Sequence, residues 1–204
     1  MTHQALDFKS IHEAYVDSVR RYLERLVSEG EAEDLTQDVF TRISRSLHTF
    51  RGEAKLSTWI YKIATNAAMD RMRQKARTGE EIPLDIAGDR EDQNPWTGEI
   101  RTLDQQVIRK EMNDCIRNVV ARLPEIYRTV IVLSEFEGFT NEEIAHILGL
   151  GMETVKIRLH RGRAKLKEEL SRYCILYRDG RNELACDLKE GLTVPRSPRR
   201  KGPS

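Results

Sequence analysis

Apolar residues recur along this chain at three- and four-residue intervals. Ile11, Tyr15, Val19, Tyr22, Leu23 and Leu26 fall on one such stripe, the signature of a half-buried helix. A second stripe of Leu35, Val39, Phe40 and Ile43 predicts a helix from about residue 32 to 47. A third is predicted from Ser57, as its N-cap, to about residue 75, with Ile60, Ile63, Ala64 and Ala67 on one face. Alternation of the strand type is nearly absent.

At Thr78 the periodicity stops. The stretch TGEEIPLDIAGDREDQNPWTGEI holds two prolines, three glycines and many acids but no usable apolar stripe, and it reads as a linker. Helical spacing resumes near Leu103 with Val107, Met112, Cys115, Ile116, Val119 and Val120. Pro124 is placed to open the next helix in its first turn, and Gly138 to stop it. Thr140 and Glu143 have the spacing of a capping box. They lead a short helix buried through Ile144, Ala145, Ile147 and Leu148. Gly149-Leu150-Gly151 is a tight turn, and a longer helix follows with Val155, Leu159, Leu166 and Leu170 inside. Two helices joined by a short glycine-containing turn outline a helix-turn-helix. The pattern as a whole predicts an all-α fold of two small helical domains, 5–78 and 105–172. A flexible acidic linker over 79–104 joins them, and a partly disordered tail over 173–204 follows.

Composition sharpens this picture. The 204 residues carry a formal net charge of only +1, yet the charges are segregated. Residues 79–106 hold eight acids against Arg90 and Arg101, whereas 154–167 (TVKIRLHRGRAKLK) hold six Lys and Arg, one His and no acid. The tail adds Arg196, Arg199, Arg200 and Lys201. Such asymmetry points to a polyanionic partner for the basic parts. No apolar run approaches membrane-spanning length and the N-terminus lacks a signal-peptide pattern, so a soluble, cytoplasmic protein is expected.

The cations of the last long helix are patterned as well as numerous. Lys156, His160, Arg163 and Lys167 share one face, opposite the apolar stripe, and Arg158, Arg161 and Lys165 flank it. A helix presented in this way fits the major groove. Surface helices held by salt links mix acids with bases, and here no acid appears until Glu168. In the first half, Lys62, Asn66 and Arg73 lie on one helix face, with Arg71, Lys75 and Arg77 adding charge. Cations near aromatic residues suit single-stranded nucleic acid, although Trp59 reads better as core. Upstream, Glu31, Glu33, Asp34 and Asp38 surround Leu35, Val39 and Phe40. That acidic surface is badly placed for phosphates and reads as a protein-docking face or as support for a helix dipole.

Three segments, EAEDLTQDVFTRI, FRGEAKLSTWIYKIATNAAMDRMR and LPEIYRTVIVLSEFEGFTNEEIAHILGLGMETVKIRLHRGRAKLKEEL, resemble bacterial sigma factors of the sigma-70 class. The closest group is the small extracytoplasmic-function (ECF) type. The resemblance spans residues 5–78 and 105–172. It implies an alternative sigma factor that binds core RNA polymerase, reads the −35 and −10 promoter elements and assists melting. Asp34, Leu35, Gln37, Asp38 and Phe40 match the family's polymerase-docking residues. Phe50, Arg51 and Lys55 match its base-capturing loop, with Lys62, Asn66, Arg71 and Arg73 on the helix that follows. Thr154, Lys156, Ile157, His160, Arg161 and Arg163 match its −35-reading helix. The family also implies an anti-sigma partner. The extra domain and inhibitory N-terminal segment of primary sigma factors are not expected here.

The rival from a different class is a free-standing helix-turn-helix regulator binding duplex DNA without polymerase. It accounts for residues 120–170 but leaves 31–77 without a purpose. An enzyme is not expected: there is no Gly-rich phosphate loop, no carboxylate cluster on matched elements and no nucleophile–base pair. No cofactor or metal is expected either. Cys174 and Cys186 have eleven residues between them, without the close pairs of zinc sites, and Cys115 reads as core.

Overall fold

The structure is a computed structural model that describes residues 7–78, 116, 118–178 and 184–189. The acidic linker, Cys115 and the rest of the stripe before residue 116, and the basic tail from Gly191 lie outside the described residues.

Helix α1 spans Phe8–Glu24, and the Asp7 carboxylate caps it by accepting from the backbone N–H groups of Lys9 and Ser10. Helix α2 spans Glu29–Ser46, starting earlier than its apolar stripe. Glu29 and Glu31 in its first turn favour the positive end of the helix dipole. A single 3₁₀ turn at Leu47–Thr49 leads into the loop before α3, Leu56–Thr78. Helix α3 begins one residue before Ser57, so Ser57 is a first-turn residue and not the cap.

These three helices bury one another's stripes. Val19, Tyr22, Leu23, Leu26, Val39, Ile43, Ile60 and Met72 are all but inaccessible, and each such side chain contributes about 1.5–3 kcal/mol by leaving water. Ala64, Ala67 and Ala68 keep one side of α3 flat enough for close approach. The Tyr22 hydroxyl, fully buried, meets Thr65 Oγ1 at 2.7 Å. Across α2 and α3, Lys75 Nζ lies 2.7 Å and Arg71 3.6 Å from the Glu31 carboxylate. Burial opposes the charge on Glu31, but Lys75 and Ser28 hydrogen-bond the carboxylate and hold it below the usual carboxylate range.

The second helical unit has residues 118–122 in helix, then α4 at Glu125–Ile131, which widens into one π-helical turn, Val132–Phe136. Pro124 sits at the cap position in extended backbone, just ahead of the first turn. Gly138, at φ 72°, ends the element. Helix α5 spans Asn141–Leu148. The capping box is formed: Thr140 N–H donates to Glu143 Oε2 at 2.9 Å, and Glu143 N–H to Thr140 Oγ1 at 3.3 Å. Gly149 closes α5 in the left-handed region (φ 62°), where a side chain is disfavoured. Helix α6 spans Met152–Tyr173 and buries Val155, Leu159, Gly162 and Leu170.

The start of the expected tail is ordered. Strand β1 (Cys174–Arg178) pairs antiparallel with β2 (Leu184–Leu188), with Cys174 opposite Leu188 and Leu176 opposite Cys186. Lys189 fastens this hairpin to α6, its N–H reaching the Tyr173 carbonyl at 2.9 Å and its Nζ the Ser171 carbonyl at 2.7 Å. Apart from this hairpin the described residues are helical or irregular.

The two helical units are packed against each other. One apolar cluster runs from Ile11 through Leu26 and Met72 to Ile131, Ile144 and Leu159. Helix α3 faces α5, and Tyr61 stacks edge-on against Phe139 with centroids 4.8 Å apart. Glu137 enters this seam: it accepts from Tyr61 Oη at 2.6 Å and from Arg25 Nη1 at 3.0 Å. The Arg25 guanidinium also lies over the Phe136 ring. Arg128, 8% exposed, donates across the seam to the Leu26 carbonyl at 3.1 Å and twice to the Leu123 carbonyl. It thereby satisfies a carbonyl just past the end of α1.

Candidate nucleic-acid interface

Helix α6 presents two chemically distinct faces. Val155, Leu159 and Gly162 turn inward. Thr154, Lys156, Ile157, His160, Arg161 and Arg163 are all exposed, so every residue assigned to −35 reading is on the accessible surface. Two of the cations have acidic neighbours. Lys156 Nζ lies 2.7 Å from Glu153, and Arg163 donates to Glu135 from two nitrogens at 2.7 and 3.0 Å. The Arg163 fork is thus held against the turn after α4, which sets its direction. Both pairs are solvent-facing and contribute little to stability. The capping box and Gly149 fix how α5 meets α6, and therefore how this face is displayed.

The loop before α3 and the outer side of α3 carry the second group. Arg51, Lys55, Asn66 and Arg73 are exposed, and Phe50, Lys62 and Arg71 are half-buried. Phe50 packs on Trp59 with centroids 5.5 Å apart; Trp59, expected as core, is half-buried and packs against the core from its edge. Arg73 is paired with Asp70 at 3.1 Å, one helical turn away. Lys55 reaches out of its own unit: its Nζ lies 2.9 Å from Glu143 Oε1 in the capping box of α5. Glu143 therefore serves two partners. The Thr140 N–H first, and Lys55 next, hold its carboxyl below the usual range.

On α2, Asp34, Gln37 and Asp38 are exposed. Leu35 and Phe40 are not, at 3% and 4% exposure. The five docking candidates therefore divide into three that a partner can reach, Asp34, Gln37 and Asp38, and two that lie beneath them. Leu35 and Phe40 belong to the stripe that packs α2, and Phe40 is also held edge-on by His12 at 4.7 Å. They orient the acidic face from beneath.

Arg25, Arg128 and Glu137 were absent from the candidates drawn from sequence. Arg25 and Glu137 are 112 positions apart, and each looks like an ordinary surface charge. Glu143 had a signal, the T-x-x-E spacing, but only for its capping role. Among the described residues there is no cluster of three or more His, Cys, Asp or Glu able to hold a metal.

A cationic, outward-facing second helix on a capped helix-turn-helix defines a DNA-binding protein. Comparison with known proteins narrows the class. The family profile for sigma-70 region 2 matches residues 11–78, and that for sigma-70 region 4 matches 113–166. The ECF RNA polymerase sigma factor SigW of Bacillus subtilis is 33% identical over 167 residues, 80% of this chain and 88% of its own length. The ECF RNA polymerase sigma-E factor of Haemophilus influenzae is 30% identical over 165 residues, 80% of this chain and 87% of its own length. Among solved structures, the sigma factor RpoE of Bartonella quintana, in complex with the anti-sigma factor NepR, superposes with a TM-score of 0.60 at 25% identity. That match covers 81% of this chain and 97% of RpoE. CnrH, in complex with the cytosolic domain of CnrY, has a TM-score of 0.55 at 22% identity, covering 81% and 88%. The chain belongs to the sigma-70 family, in its ECF group. The region 2 match accounts for the first helical unit, which the free-standing regulator left unexplained.

Proposed function

We propose that the chain binds core RNA polymerase and directs promoter-specific initiation as an alternative sigma factor. The observation that carries this reading is the exposed cationic face of α6 in a region 4 unit that follows a region 2 bundle. In this division of labour residues 5–78 dock on polymerase through Asp34, Gln37 and Asp38. The same unit meets the −10 element through Phe50, Arg51, Lys55, Lys62, Asn66, Arg71 and Arg73. Residues 105–172 place α6 in the −35 major groove, its first turns on base edges and its later cations on phosphates. The protein itself is not an enzyme; nucleotidyl transfer belongs to polymerase. Among the described residues no helix is long and apolar enough to cross a membrane. An anti-sigma protein is the expected regulator, as the structure of RpoE with the anti-sigma factor NepR supports.

The first test is co-elution of the purified chain with bacterial core RNA polymerase in size-exclusion chromatography at moderate salt. Separate elution, with duplex binding by the chain alone, would count against the proposal. Asp38→Arg should reduce co-elution while leaving the helical circular-dichroism signal intact, because Asp38 is exposed and its reversal disturbs no packing. Lys156→Ala should weaken binding to a selected promoter by roughly 1–3 kcal/mol if Lys156 meets a base. An equal loss on all sequences, with a shallower salt dependence, assigns it to a phosphate instead.

A further inference from the structure

We infer that Ile157 is a specificity-determining residue that reads the C5-methyl group of a thymine in the major groove. The inference rests on the assignment of α6 to duplex reading and adds the chemistry of one base contact. Ile157 is 50% exposed. The other large exposed hydrophobics among the described residues are Ile126, Ile175 and Tyr177, none of which lies on this face. One helical turn to either side of Ile157 stand Thr154 and Arg161, both exposed, with Lys156 and His160 beside them. The sec-butyl side chain of Ile157 is thus held in water at the middle of a polar, cationic strip.

Its position along the helix matters as much as its exposure. Helix α6 begins at Met152, so Ile157 lies within the first two turns, the part of a recognition helix that meets base edges. The edges in the major groove are hydrogen-bond donors and acceptors with one apolar exception, the thymine methyl. Against an isoleucine, the amino group of cytosine or adenine would lose its water and gain no partner. The thymine methyl would instead leave water together with the side chain. Isoleucine is stiff at its first side-chain torsion in a helix, so its methyl groups are held in one place and the contact discriminates by position. The neighbouring cations set affinity through phosphates; Ile157 sets a preference at one base pair.

The test uses the full chain assembled with core RNA polymerase. Duplexes are first enriched from a random-sequence pool. In the upstream segment protected by the C-terminal unit, each thymine is then replaced in turn by deoxyuridine, which lacks only the methyl. For the wild type, at least one replacement should weaken binding about three- to fivefold. Ile157→Ala should erase that difference, and Ile157→Val should keep most of it. An exposed position makes misfolding a poor explanation for either result. Deoxyuridine without effect at every thymine, or a protected segment without thymine, overturns the inference and leaves the duplex-reading assignment standing. A penalty retained in Ile157→Ala also overturns it and assigns the side chain to a protein contact. If no sequence is enriched at all, the duplex-reading assignment itself fails and the inference falls with it.

Discussion

Glu137→Ala should cost about 3–5 kcal/mol at the seam between the two helical units. The substitution removes the carboxylate that accepts from Arg25 at 3.0 Å and from Tyr61 at 2.6 Å. It leaves the Arg25 guanidinium, 18% exposed, without that partner. Burial pushes the Glu137 carboxyl up, with the Tyr61 hydrogen bond and Arg25 only partly offsetting it. Burial likewise lowers Arg25, against the attraction of Glu137. Both shifts say that desolvation outweighs the mutual attraction. The pair is therefore costly to break without adding much stability while intact. Replacing both partners, Arg25→Met with Glu137→Leu, should recover most of the loss. Hydrogen exchange at the amides of Val27 and Phe139 reports the seam directly, and urea unfolding gives the total. A single variant within about 1 kcal/mol of wild type would show that the carboxylate is well solvated.

Gly162→Leu is the second large effect expected. Gly162 lies on the inner face of α6, where an added Cβ would stand 3.0 Å from Ile131 Cγ1 and 3.4 Å from Tyr127 Cβ. Ile131 is fully buried and has little room to retreat. For Gly162→Ala, the helix-propensity gain of about 1 kcal/mol offsets much of the crowding, and stability should change little. Leucine adds three further carbons at the same point, and overpacking of that kind costs about 3 kcal/mol. The damage should be local: duplex binding falls while co-elution with polymerase through the first unit persists. Loss of both together would mean that the two units do not fold separately.

The helices of this fold were legible because their stripes are long and regular. Val19, Tyr22 and Leu23 on α1, and Val155, Leu159 and Leu170 on α6, are buried as their spacing predicts. The exposed, cationic side of α6 followed by subtraction. Other parts were hidden for physical reasons. Leu35 and Phe40 match docking positions in the family, yet the same spacing that makes α2 amphipathic turns them inward. The pairing of Cys174–Arg178 with Leu184–Leu188 was not legible because each strand is only five residues long, too short for alternation to stand out. The seam left no local trace at all. Its members, Arg25, Tyr61, Arg128 and Glu137, come from four separate elements and connections, and only the folded chain gathers them.

The Lys55–Glu143 contact and the Glu137 cluster have one further consequence, set by linkage. A partner that engages the two units apart binds only the fraction of molecules in which the seam is open, and its apparent dissociation constant scales inversely with that fraction. Each 1 kcal/mol of seam stability then weakens every such partner by about fivefold, whether it is a polymerase or a promoter. A partner that grips the closed arrangement gains from the same contacts. Substitutions at Glu137 would therefore move these two sets of affinities in opposite directions without touching either binding surface.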